Sequence, residues 1–199
     1  MTPEARAVLE QELRRRFDAG DLDGVATEAL RGYGAELFGF LVGLARDHDR
    51  GADLFSTFCE KLWRGLGQFR WNSSLRVWAY ALARNTFIDA TRSPKAREMH
   101  LSQVPEPVAA AVRTTTAAYR QTAVKDAFAE IRAGLEPEDQ ALLGLRVEGE
   151  MAWLDIARVL GHSDDSAVRE SASLRKRFER LKQRLKRELA ARLPPSNDE

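Results

Sequence analysis

Apolar residues recur every three or four positions along most of this chain and runs of alternating β-branched residues are absent, so the pattern predicts helices and no strands. Residues 3–18 read as a first helix, with Pro3 just inside its start and the acids and glycines of DAGDLDG after its end. A longer helix is expected from Leu22 to Ala45, with Leu30, Tyr33, Leu37, Phe38, Leu41 and Leu44 on its apolar side, until RDHDRG interrupts it. ADLFSTFCEKLWRGL then places Leu54, Phe55, Phe58, Cys59, Leu62, Trp63 and Leu66 at helical spacing and leaves Asp53, Thr57, Glu60, Lys61 and Arg64 outward. After the polar loop GQFRWNSS, residues 75–92 (LRVWAYALARNTFIDATR) read as one helix with unusual polar positions. Trp78, Asn85, Asp89 and Arg92 share one stripe about 60° wide, and apolar residues cover nearly all the rest.

The periodicity fails from Ser93 to about Ala118, where prolines, small residues and threonines give no sustained apolar face, and this stretch is expected to be a linker. It resumes with YRQTAVKDAFAEIRAGL, then Pro137 with Glu138 and Asp139 at a helix start, then QALLGLRV, a turn at EGE, and MAWLDIARVLG. A last helix is expected over about 166–193, ended by Pro194 and Pro195. The map is therefore an extension helix in 1–21, a helical unit in 22–92, a linker in 93–118, a second helical unit in 119–193 and a tail in 194–199. The fold class is all-α, two small helical domains joined by a flexible linker.

Composition changes this picture little: 44% apolar and 31% charged residues are an ordinary globular balance. The lone cysteine, Cys59, lies in an apolar pattern, reads as a small buried hydrophobe and gives no disulfide framework, so a cytoplasmic setting is expected. The apolar run LFGFLVGLA is too short to span a bilayer, and the charged start lacks a signal-peptide core, so no membrane insertion is expected.

Charge distribution says more than the net charge of +1. Between Arg175 and Arg187 there are eight lysines and arginines against one acid, Glu179, a bias suited to phosphate contact along a groove. This basic run follows a helix-turn-helix pattern, in which Ala157 is small where two helices cross, Gly161 makes the turn, and Ile156 and Leu160 pack inward. His48, His100 and His162 have no partners at metal-ligand spacing, and no phosphate-cradling glycine loop or activated nucleophile occurs. Neither an enzyme, a metal site nor a cofactor is expected.

Taken together, the two blocks resemble the extracytoplasmic-function class of bacterial sigma factors, in the sigma-70 family, from about Leu22 to Leu189. The best segment is LRVWAYALARNTFIDATR, where Trp78, Tyr80, Arg84, Asn85, Asp89 and Arg92 match the family pattern in order. GADLFSTFCEKLWRGLGQFR is similar to the family's polymerase-docking helix, with Asp53 matching its central acid and Ser56 standing where a glutamine is usual. The resemblance implies a subunit that binds core RNA polymerase on the largest-subunit clamp coiled coil and the flap, with Asp53, Ser56, Thr57, Glu60 and Lys61 as candidate contacts. It implies that the loop WNSS holds a base flipped from the minus-10 element, with Asn72, Ser73, Ser74, Arg76, Arg84 and Asn85 as candidates for DNA contact. Trp78 is expected in the core, and Asp89 is expected to pair with Arg92 and hold the helix in place.

The last helix departs from the family spacing. An apolar residue is usual six positions after the turn glycine, where Ala167 stands; Val168 comes one later, which suggests one extra residue. Two registers stay open for minus-35 contact: Ser166, Arg169, Glu170 and Ser173 in front, or Arg175, Lys176 and Arg177 behind. The linker, by the same resemblance, threads toward the polymerase active-site channel, and an anti-sigma factor is an implied partner beside promoter DNA. Two rivals remain: a sigma-like helical module that binds a regulator without opening promoters, and a regulator that uses only its helix-turn-helix.

Overall fold

Acidic side chains start the second and third helices. The Asp21 carboxylate accepts the Gly24 amide at 2.9 Å and starts one helix, and Asp47 accepts the Arg50 amide at 2.7 Å and starts the next. Between them Arg46 turns the chain with φ 58°, a left-handed value at a helix C-terminus. The computed structural model describes residues 1–92, 104–122 and 134–192, with side chains described to Thr115 in the second stretch and to Glu188 in the third. All regular elements among these are helical: α1 (Pro3–Asp18), α2 (Leu22–Ala45), α3 (His48–Gly65), α4 (Leu75–Arg92), α5 (Glu106–Thr122), α6 (Pro137–Leu143), α7 (Trp153–Val159) and α8 (Asp164–Arg192). The sequence places the start of α3 four residues later, at Ala52; the Asp47 cap accounts for the extra turn. The chain divides into two compact units, Met1–Val124 and Lys125–Glu199.

In the first unit α2 is the central helix, and α1, α3, α4 and α5 all pack on it. Leu30, Tyr33, Leu37, Phe38, Leu41 and Leu44 are buried, as their periodicity requires, and Phe38 meets Phe55 of α3 edge-on at 5.2 Å while Phe40 meets Tyr80 of α4 at 5.1 Å. Cys59 is fully buried, and burial pushes its thiol pKa well up, as suits an inert packing residue.

One expectation is corrected here. Residues 106–118, read as part of the linker, belong to α5, which runs on through Thr122, and Val108, Ala109, Ala111, Val112 and Thr115 are buried on it. Their spacing is helical, but alanines and a threonine weigh little in a hydropathy pattern. They suffice because the partner surface is equally small: a Cβ on Gly34 of α2 would lie 2.8 Å from the Thr115 hydroxyl, so only glycine admits this close approach. The rest of the expected linker (93–103), most of the helix expected over YRQTAVKDAFAEIRAGL, and the tail 194–199 lie outside the described residues.

In the second unit α6 starts at Pro137 and opens at its end into a wider turn, with the Gly149 amide bonded to the Gly144 carbonyl at 2.8 Å. Gly161, at φ 94°, makes the turn between α7 and α8, and the His162 amide bonds back to the Ala157 carbonyl at 3.1 Å. Ile156 and Ala157 are buried as expected; Leu160 is only half-buried and Val159 takes the inward place, because the turn begins at that point. Ala167, Leu174, Phe178 and Leu181 form the buried stripe of α8, and Phe178 meets Trp153 at 5.5 Å.

Candidate nucleic-acid interface

The loop before α4 is anchored by its aromatic residue. Trp71, at φ 57°, packs against Phe69 at 4.9 Å and Phe17 of α1 at 5.6 Å, with the Arg14 guanidinium 5.1 Å from its ring centre. This leaves Asn72 exposed at the loop's tip, with Ser73 half-buried. Ser74 is exposed, and its hydroxyl accepts the Val77 amide at 3.2 Å, so it caps α4.

A second cap comes from far away in the chain. The Glu10 carboxylate of α1 accepts the Leu75 and Arg76 amides, each at 2.9 Å, and the Tyr33 hydroxyl, also at 2.9 Å. A negative charge at a helix N-terminus satisfies amides that have no partner within the helix and meets the positive end of its dipole. Burial first, then the Glu10 charge, push the Tyr33 phenol pKa well above its ordinary value. Sequence reasoning missed Glu10: the first helix was read from its boundaries alone, and nothing in the pattern says which helix its acids reach.

Arg76, a candidate for DNA contact, is turned inward. It is 4% exposed, its Nε and Nη2 donate to Glu36 at 2.6 and 2.9 Å, and its guanidinium lies 5.2 Å from the Tyr80 ring centre. Burial alone would lower its pKa; the Glu36 carboxylate outweighs that and raises it. Position 76 sits on the inward side of the first turn of α4, where a charge persists only when paired.

The stripe on α4 divides. Trp78, expected in the core, is half-buried and stacks on Phe69 at 4.9 Å. Asp89 does not act within its own helix: it pairs with Lys61 of α3 at 2.8 Å, tying the two helices together, where an i, i+3 pair with Arg92 was expected. Arg92 and Asn85 are exposed and Arg84 is half-buried. Asn72, Ser74, Asn85, Asp89 and Arg92 are thus the exposed members of this set, and Asn85 is a short amide able to donate and accept at once.

On α3 the expected outward face is partly closed. Asp53 is exposed, while the Ser56 and Thr57 hydroxyls each donate at 3.0 Å to the carbonyl four residues back. Lys61 is taken by Asp89. Glu60, expected to face solvent, is 2% exposed, with a carboxylate oxygen 2.7 Å from the Arg64 guanidinium. Periodicity gives an azimuth, not what lies over it.

In the second unit the two open registers separate. Ala167 is fully buried and Val168 is 68% exposed, so Ala167 fills the core position and no extra residue is needed. Arg177 is held by Glu138 and Asp139 of α6 at 2.8 and 2.7 Å, so it joins helices; these carboxylates outweigh partial burial and raise its pKa. Arg175 lies 5.9 Å from the Trp153 ring centre, and Lys176 is exposed. In front, Ser166 bonds to Ser163, Glu170 is half-buried, and Arg169 and Ser173 are exposed.

The chain is thus an all-α protein with a polar strip on its fourth helix and, in its second unit, two helices, α7 and α8, joined by a turn at Gly161. Residues 30–97 match the family model of Sigma-70 region 2, a span that takes in most of α2 and all of α3 and α4, about a third of the chain. The match supports a sigma-70 family member, and at family level that region is associated with core RNA polymerase binding and promoter melting. No curated protein matches the chain. Among the described residues no helix is long and apolar enough to cross a membrane.

Proposed function

We propose that this protein is a sigma factor of the extracytoplasmic-function class, working in the cytoplasm. Its first unit docks core polymerase through the face of α3 that carries Asp53 and opens the minus-10 element against α4. Its second unit reads the minus-35 duplex with α8. The observation that carries this reading is the coincidence of the region 2 match with a helix whose exposed Asn85 and half-buried Arg84 follow a loop that presents Asn72. Unstacked bases find stacking and short polar partners on such a surface, each stack being worth about 1–3 kcal/mol. The linker role toward the active-site channel and control by an anti-sigma factor belong to the same proposal.

The reading is tested by mixing the full chain with core RNA polymerase and following their co-elution. A stable complex that Asp53→Lys weakens is expected; no complex at any ratio would overturn it. The rival reading, a sigma-like module that binds a regulator, draws on the burial of Glu60 and the pairing of Lys61, which leave α3 fewer exposed polar groups. That rival predicts no stable association with core polymerase and no promoter opening.

A further inference from the structure

The front of α8 carries an apolar side chain where solvent would favour a polar one. Val168 is 68% exposed on the second turn of the helix, next to buried Ala167. Around it on the outward side stand Asp165, Arg169, Ala172, Ser173 and Lys176, all exposed. The stripe Ala167, Leu174, Phe178 and Leu181 fixes the rotation of α8 by its burial, so this outward set is not a matter of choice of register. The preceding turn at Gly161 and the clamp of Arg177 on Glu138 and Asp139 hold the helix in that rotation.

We propose that Val168 is a specificity-determining residue that packs on the 5-methyl group of a thymine in the major groove, beside a base pair contacted by Arg169. This rests on the reading of α8 as the duplex-binding helix and adds the base that it selects. The chemistry is particular. Of the four bases only thymine offers a methyl group in the major groove, an apolar side chain is its natural partner, and arginine bonds best to guanine O6 and N7. A branched, stiff valine places its methyl groups without loss of rotamer freedom. Lys176, on the same outward side two turns further along, suits a phosphate contact that sets the helix in the groove.

The test uses holoenzyme reconstituted from the full chain and core polymerase. Duplexes are selected from a random library, and each thymine of the upstream element is then replaced singly by deoxyuridine, which lacks only the methyl group. One replacement is expected to weaken binding about fourfold, the value of one buried methyl group, and Val168→Ala, a surface change, is expected to reduce that penalty. A selected upstream element whose thymines all tolerate deoxyuridine, or a penalty that persists undiminished in Val168→Ala, would overturn the inference and leave the sigma-factor reading standing. Failure to select any upstream element would overturn both.

Discussion

Arg76 and Glu36 face each other with two hydrogen bonds at the inner end of α4, and little solvent reaches the arginine. Removing one member strands the other, which costs about 3 kcal/mol for a largely buried pair. Arg76→Ala is therefore expected to lower the urea midpoint of the first unit strongly. Unchanged stability with lost promoter opening would instead make Arg76 a DNA contact. Tyr33 supplies a pH signature. Its phenol pKa is raised in the folded chain above the ordinary value of 10.0, so the folded state keeps a proton that the unfolded chain gives up. The resulting stability is complete below pH 10.0 and falls as the pH rises beyond it toward the folded value. Thermal melts from pH 9 to 11 should decline less steeply in Tyr33→Phe than in the wild type, allowing for the other alkaline groups (~9 to 11 brackets the ordinary tyrosine range). Equal slopes would remove Tyr33 from the account. Which residues carried charge was plain in the sequence; which charges found each other was not. Asp89 with Lys61, and Arg177 with Glu138, join positions far apart in the chain.

At the scale of elements, α1 is the main addition to the sequence reading. It contributes buried Leu13 to the core, Phe17 and Arg14 to the packing of Trp71, and Glu10 to the start of α4. Glu10→Ala would leave the Leu75 and Arg76 amides and the Tyr33 hydroxyl without this acceptor. A loss of about 1–2 kcal/mol and faster amide exchange at Leu75 and Arg76 are expected. Exchange unchanged at both amides would show that α1 does not hold α4. Helices α2, α3 and α4 were legible because leucines and aromatics mark their buried faces clearly. α5 was not, since its buried face is built from alanine, valine and threonine against Gly34. For the candidate site, hydrophobic rhythm located α4, and the spacing of Ala157 and Gly161 located the turn. The rotation of α8 became clear only once Ala167 was seen inside and Val168 outside.

Across the whole molecule the near-zero net charge hides a strong local bias, and part of that bias is spent internally. Arg177 binds α6, and Lys182 and Arg184 pair with Glu179 and Glu188 at 2.8 and 3.3 Å. Lys176, Arg180, Lys186 and Arg187 remain exposed along α8. A phosphate-binding role for this helix implies affinity that falls with salt, and substitution of Lys176 should weaken binding to all duplexes alike and flatten that dependence. The central claim is that the chain directs core polymerase to specific start sites and opens the DNA there. Its most direct test is transcription of fragmented genomic DNA by core polymerase with and without the full chain, with sequencing of the transcript 5′ ends. The account predicts discrete start sites that need the chain, share upstream sequence elements and weaken in Asn85→Ala; a profile identical to that of core polymerase alone would contradict it.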